Sequence, residues 1–311
     1  ASWSDVGVLN MVLTTAKGYG FYSVDGSTIH SFTGTPITGN KSISMTTTDV
    51  NSNGLSNDYD GANLLGNPYP SSIDWDGLNE TYGAVNYWNG TGYVSWNGSG
   101  SGNQYVAPAQ GFFVLANGVS SFNVGNANRT HLGASSFYKS ENRVRKGLVI
   151  AASNGNYEDD LWIMFRDNST SNFDFTMDAS KFYTNTPGVS QLYTLNMDRN
   201  LSIDVRPETE LISLGFRNDQ NGSFSISLKD IDGIGLLELE DTKLNIFHDL
   251  LHSTYEFDWN TNDSEERFIL HLKATGIGEE ELQEAQVYAA NQQVYIRLNQ
   301  SLNYDQVQVY D

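Results

Sequence analysis

Val85-Asn-Tyr-Trp88, Asn89-Gly-Thr-Gly92 and Tyr93-Val-Ser-Trp96 follow one another without a break, and this stretch decides the fold class. Two short runs of aromatic and β-branched residues flank four residues built for a turn, the pattern of a β-hairpin. The same grammar continues on both sides. Upstream, Phe32 to Met45 carries a Gly-Thr-Pro turn and then alternates through Ile43 and Met45. Downstream, Gly111-Phe-Phe-Val-Leu-Ala116, Gly147-Leu-Val-Ile-Ala151, Leu161-Trp-Ile-Met-Phe165, Phe224-Ser-Ile-Ser-Leu228 and Arg267-Phe-Ile-Leu-His-Leu272 are strand-length runs between Asn/Asp/Gly turns. That spacing belongs to antiparallel sandwiches. Helical period is scarce, and the acidic stretch Gly278 to Ala285 is too short to stand as a helix. The predicted architecture is all-β, with tandem antiparallel β-sandwich or jelly-roll-like domains and a partial immunoglobulin-like domain at the C-terminus.

Composition divides the 311 residues. Residues 1–136 hold 3 basic and 8 acidic residues, net −5, and 20 of the 29 glycines; the remainder carries net −15. The polar, then basic stretch from Ser135 to Lys146 reads as a linker. Predicted domains are therefore 1–136, rich in Asn, Gly and aromatics, and 137–274, a sandwich. An acidic linker follows at 275–285, then a last unit at 286–311. Three strands, Ala285-Gln-Val-Tyr288, Gln293 to Leu298 and Asp305 to Tyr310, make an incomplete sandwich. The chain opens Ala-Ser-Trp-Ser-Asp and reads as an internal piece of a longer protein.

A net charge of −20 repels phosphate backbones and anionic lipids, which argues against nucleic-acid partners and a polybasic membrane anchor. The absence of Cys removes disulfides and thiol nucleophiles. No apolar run reaches the ~18 residues of a membrane span. The sequence holds no Gly-x-Ser-x-Gly elbow, phosphate-binding glycine loop or dinucleotide fingerprint, and no pair of carboxylates stands out, so the expectation is a non-catalytic chain.

Three constellations invite chemistry. Trp88, Tyr93, Trp96 and Tyr105, interleaved with Asn and Gly, suit stacking on sugar rings if exposed; the competing reading assigns strand aromatics to the core. Asp49, Asn51 and Asn53 precede Gly54 with Asp60 at the twelfth position, the donor spacing of a calcium loop, and mark a candidate structural calcium site. No helix pattern flanks it, and such strings are also plain turn chemistry. His248 and His252 have the i, i+4 spacing of a zinc helix, but the run into Tyr255-Glu-Phe257 favours a strand, where the two rings stand over 13 Å apart, roughly.

The run Ala62-Asn-Leu-Leu-Gly-Asn-Pro-Tyr-Pro-Ser-Ser-Ile-Asp-Trp75, with Tyr87-Trp-Asn-Gly90, Gly92-Tyr-Val94 and Ala107-Pro-Ala-Gln-Gly-Phe-Phe-Val114, resembles a module of large secreted Bacteroidota proteins exported by the type IX secretion system. Lys17-Gly-Tyr19 and Phe32 to Pro36 fit the same pattern. Asp174 to Lys181, Leu201 to Ile203, Leu237 to Asp241 and Tyr255 to Phe257 are similar to the jelly-roll-like domain that follows it. Val287, Tyr288, Val294, Tyr295, Val307, Val309 and Tyr310 are similar to the opening strands of a type A sorting domain. The resemblance implies an extracellular or cell-surface segment, spacer or adhesin-like. It also implies that those last residues contact the outer-membrane translocon or its shuttle protein. Surface glycans or other cell-surface proteins are the further partners it suggests. The alternative is a carbohydrate-binding accessory module of a secreted polysaccharide-degrading protein.

Overall fold

The computed structural model describes residues 12–20, 34–47, 60–132, 146–196, 199–274, 285–290 and 293–298, the last two ranges as backbone. It is an all-β chain whose sheets are antiparallel apart from the parallel pairing of Glu158–Phe165 with Leu201–Arg206. By its contacts it divides into two compact units, Ala1–Ala274 and Thr275–Asp311.

Within the first unit lie two lobes. In the lobe before residue 133, Ala62–Gly66, Gly111–Leu115, Val85–Trp88 and Tyr93–Trp96 form a four-stranded sheet in that order. A three-stranded sheet (Tyr105–Val106, Ser72–Asp74, Arg129–Thr130) and the pair Lys41–Ser44 with Ser121–Val124 complete it. Their inward residues meet around Trp75, whose ring stacks on Phe122 at 6.1 Å and meets Phe112 edge-on at 5.4 Å. The Gly66-Asn67-Pro68-Tyr69 corner holds this together through hydrogen bonds. Buried Asn67 donates from Nδ2 to the carbonyls of Ser71, Val106 and Ala107 and accepts the Tyr69 N–H on Oδ1. The Tyr69 hydroxyl reaches the carbonyls of Gly39 and Val124, and Trp75 Nε1 donates to Gly83. A buried amide that fills its hydrogen-bonding capacity specifies one geometry, and Asp or Ala would strand three carbonyls. Lys17 bridges Leu65 at the sheet edge, with Gly18 N–H donating to Leu64.

The second lobe is an eleven-stranded sheet. Its order is Ile246–Asp249, Ile234–Asp241, Phe268–Ala274, Leu211–Arg217, Gln191–Thr194, Leu201–Arg206, Glu158–Phe165, Gly147–Ser153, Gly222–Asp232 and Tyr255–Trp259, with Ala179–Ser180 joined to Leu201–Arg206. The sheet curls so that its two ends face each other across one core. Phe216 makes the point: its ring meets Phe224, Phe257, Trp259 and Phe268 within 6.5 Å. Each such side chain removed from water contributes roughly 1.5–3 kcal/mol.

Arg267 locks the closure. It is 2% exposed, grips Asp241 through Nε (2.9 Å) and Nη2 (2.5 Å), and donates from Nη1 to the carbonyl of Asp258. Its guanidinium lies over the rings of Phe257 and Phe268, 5.1 Å from each centroid. Tyr255 also donates to Asp241. Strands at opposite ends of the sheet are thus joined by one satisfied charge network.

The sequence reading expected a boundary near residue 136; among the described residues no sheet takes strands from both sides of it, while the contacts between the two lobes group Ala1–Ala274 as one compact unit. Beyond Ala274, Ala285–Ala290 pairs antiparallel with Gln293–Leu298, setting Val287 opposite Ile296, Tyr288 opposite Tyr295 and Ala289 opposite Val294. Val307, Val309 and Tyr310 lie outside the described residues.

Candidate functional site

The hairpin that decides the fold also places the aromatic residues. Asn89 makes the turn: its Oδ1 accepts the N–H groups of Thr91 and Gly92, and its own N–H donates to the Gly92 carbonyl. The resulting register sets Val85 opposite Trp96, Asn86 opposite Ser95, Tyr87 opposite Val94 and Trp88 opposite Tyr93. Side chains directly opposite share a face, and faces alternate along each strand. Val85 and Tyr87 are core, so Trp96 goes inward with them, 3% exposed, its Nε1 donating to Asp76. Burial pushes the Asp76 carboxyl up, against the pull of that Trp96 bond. Trp96 is therefore a packing residue, not a sugar platform. Tyr105 is half-buried in the separate three-stranded sheet, opposite Asp74.

Trp88 and Tyr93 remain together on the outer face. Their rings meet edge-on at 5.2 Å, Tyr93 continues to Phe113 at 5.6 Å and Phe182 at 5.5 Å, and Phe113 meets Phe182 at 5.8 Å. The row runs from Trp88, 42% exposed, to Phe182, 5% exposed. Phe113 and Phe182 were not singled out from sequence, and Phe182 comes from the other lobe.

The same outer face is where the lobes are joined. Ser95 and Ser202 share a hydrogen bond between hydroxyls (3.1 Å), Asn97 Nδ2 donates to the Asp178 carbonyl (2.9 Å), and Thr184 donates to the Thr91 carbonyl (3.0 Å). Ser101 donates to Asp160 Oδ2 (2.6 Å) and accepts from Trp162 Nε1 (2.9 Å). Burial raises Asp160, with the Ser101 bond opposing it. Two glycines allow this approach. A Cβ at Gly100 (φ +122°) would sit 2.2 Å from the Ser95 oxygen and 2.7 Å from Ile203 Cδ1. One at Gly83 (φ +63°) would sit 2.7 Å from the Phe175 oxygen.

A small cleft in the seam is lined by Ala84, Asn86, Leu115, Phe173, Phe175, Asp178 and Ser180, with space for about one water. Asp178 is 2% exposed; its two carboxyl oxygens accept the N–H groups of Val205 and Asp174, each at 2.7 Å. Burial raises its pKa to about 7, the two N–H bonds oppose the rise, and Asp204 and Asp174 add to it. The cleft suits a hydration site better than a substrate.

The remaining candidates separate. Asp49, Asn51 and Asn53 lie outside the described residues; Asp60 is described, half-buried just before Ala62–Gly66. Among the described residues no group of three or more His, Cys, Asp or Glu side chains is placed to hold a metal. His248 lies in the strand Ile246–Asp249, but His252 falls in the turn that follows it, so the strand expected to carry both stops between them. Its Nε2 bonds Ser253 Oγ (3.0 Å), while His252 Nδ1 bonds Asp249 Oδ2 (2.9 Å), so the two imidazoles are tied to different partners.

A family model described as a domain of unknown function (DUF8693) matches residues 78–272. The match begins before the Val85 hairpin and ends in the last strand of the second lobe, so it crosses the seam. No curated protein and no solved structure matches the chain.

Proposed function

The chain belongs to the DUF8693 family, and from that premise we propose that it is a non-catalytic, cell-surface segment of a type IX secretion cargo. Its two welded lobes act as a stiff spacer, and its C-terminal unit is what the translocon or shuttle reads. The joint between the lobes carries this reading. Five hydrogen bonds and an aromatic row cross it, and the cleft lined by Ala84, Asn86 and Asp178 has space for about one water. Two lobes fastened this way transmit position rather than open and close. The GNPYPSSIDW corner supports the same role, because its recognisable residues are spent on internal hydrogen bonds.

The test is surface labelling of intact source cells with antibody to residues 60–132. Signal should disappear when the type IX translocon is inactivated, with the protein retained in the periplasm. Unchanged labelling overturns the reading.

Exposed Trp88, backed edge-on by Tyr93, favours a second reading, attachment to glycans. On a glycan array, binding that falls at least tenfold in Trp88→Ala supports it. Absence of binding to every glycan removes it.

A further inference from the structure

Lys181 is a buried lysine in a chain that has no cysteine to staple it. Its side chain is 3% exposed and its Nζ contacts Asp159 Oδ2, on a side chain 14% exposed. Both positions are fixed by backbone. Asp159 belongs to Glu158–Phe165 and Lys181 directly follows Ala179–Ser180, and both strands pair with Leu201–Arg206. Lys181 N–H donates to the Asn200 carbonyl (2.7 Å), and Leu192 N–H donates to Asp159 Oδ2 (2.6 Å). Among the described residues, Asp159 is the carboxylate within ion-pair distance of Lys181. Two charges removed from water carry a large desolvation cost. Moving one proton from Nζ to the carboxylate removes both charges and leaves an amine against a carboxylic acid. Burial favours that acid form of Asp159, while Lys181 favours the carboxylate.

We propose that Lys181 and Asp159 condense to an intramolecular amide. The Nζ lone pair adds to Asp159 Cγ, and the charge that develops on Oδ2 is held by the Leu192 N–H, a donor already aimed at that oxygen. The Cγ–Nζ bond forms, the Cγ–Oδ1 bond breaks, and Oδ1 departs as water carrying the acid proton and one proton from Nζ. Nothing is oxidised or reduced and no co-reactant is consumed. Well-oriented intramolecular groups reach effective concentrations of about 10⁵–10⁸ M, which lowers the barrier to the addition. The bond closes a loop within the second lobe, the one that carries Phe175 and Asp178 against the first lobe, so it fixes the second lobe's side of the joint.

Intact-mass spectrometry of the denatured 311-residue chain tests this. The expected mass is one water below the sequence mass, with a branched peptide after digestion that joins the Asp159 and Lys181 segments. Lys181→Gln should return to its own full sequence mass and yield no branched peptide. A wild-type chain at full mass, with Lys181 recovered in an unmodified linear peptide, overturns the proposal. So does a water loss that maps elsewhere, as it would for a succinimide at another Asp.

Discussion

Asp178 shows what one buried carboxyl does to a joint. Among the described residues no cation pairs with it; backbone N–H groups of Val205 and Asp174 hold it, and Asp204 and Asp174 are its charged neighbours. With a folded pKa near 7 against 3.8 in the unfolded chain, the native state keeps a proton that the unfolded state loses. Stability from this group is full below about pH 4 and falls as pH rises through 7, by up to about 4 kcal/mol over the window. Thermal melts should therefore show the chain losing stability between about pH 4 and pH 7. In Asp178→Asn, which cannot ionise, that slope should flatten; an unchanged slope would refute the assignment. None of this was legible in sequence, where Asp178 is one acid among 37. The fate of Trp96 was nearer the surface of the text. Once Asn89–Gly92 is read as the turn, pairing parity puts Trp96 with Val85 and Trp88 with Tyr93. What parity leaves open is which face meets the core, and that depends on residues far along the chain.

At the scale of elements, the informative signal was the break in alternation. Leu148 to Ala152 and Leu161 to Phe165 are apolar runs, not alternating strands, and both are buried throughout. A strand reads that way when both of its faces are covered. One face lines the Phe216 core; the other, with Val149, Trp162, Met164, Ile203 and Val205, packs beneath the first lobe's Ala84. The runs could therefore announce a cover, but not that residues 95–103 supply it. Gly100 tests the fit. Gly100→Ala adds a methyl into the Ser95 carbonyl and Ile203 at a φ that L residues avoid, and should cost roughly 2–4 kcal/mol in urea unfolding. Gly118→Ala (φ +79°) meets nothing within 4 Å and should cost about 1 kcal/mol. Equal effects would mean that the close approach at Gly100 carries no weight.

For the whole molecule, charge and packing divide the chain differently. The first lobe is nearly neutral and the rest carries net −15. A composition change suggested independent domains because linkers and domain surfaces usually change together. Here the neutral Asn/Ser/Gly surface is partly an interior, since Ser95, Asn97 and Ser99 are buried at the seam. Burial of Ser95 and Asn97 there is offset by partners across the joint, Ser202 for the Ser95 hydroxyl and the Asp178 carbonyl for Asn97 Nδ2. Lobes joined in this way should unfold together, because separating them uncovers Trp162, Ile203 and Val205 and strands those polar groups. Native-state hydrogen exchange gives the readout: the slowest amides of Gly111–Leu115 and of Leu211–Arg217 should exchange with free energies equal within about 0.5 kcal/mol, both at the global value. A first lobe that opens well below the second would show that the seam is only a contact between two independently stable domains.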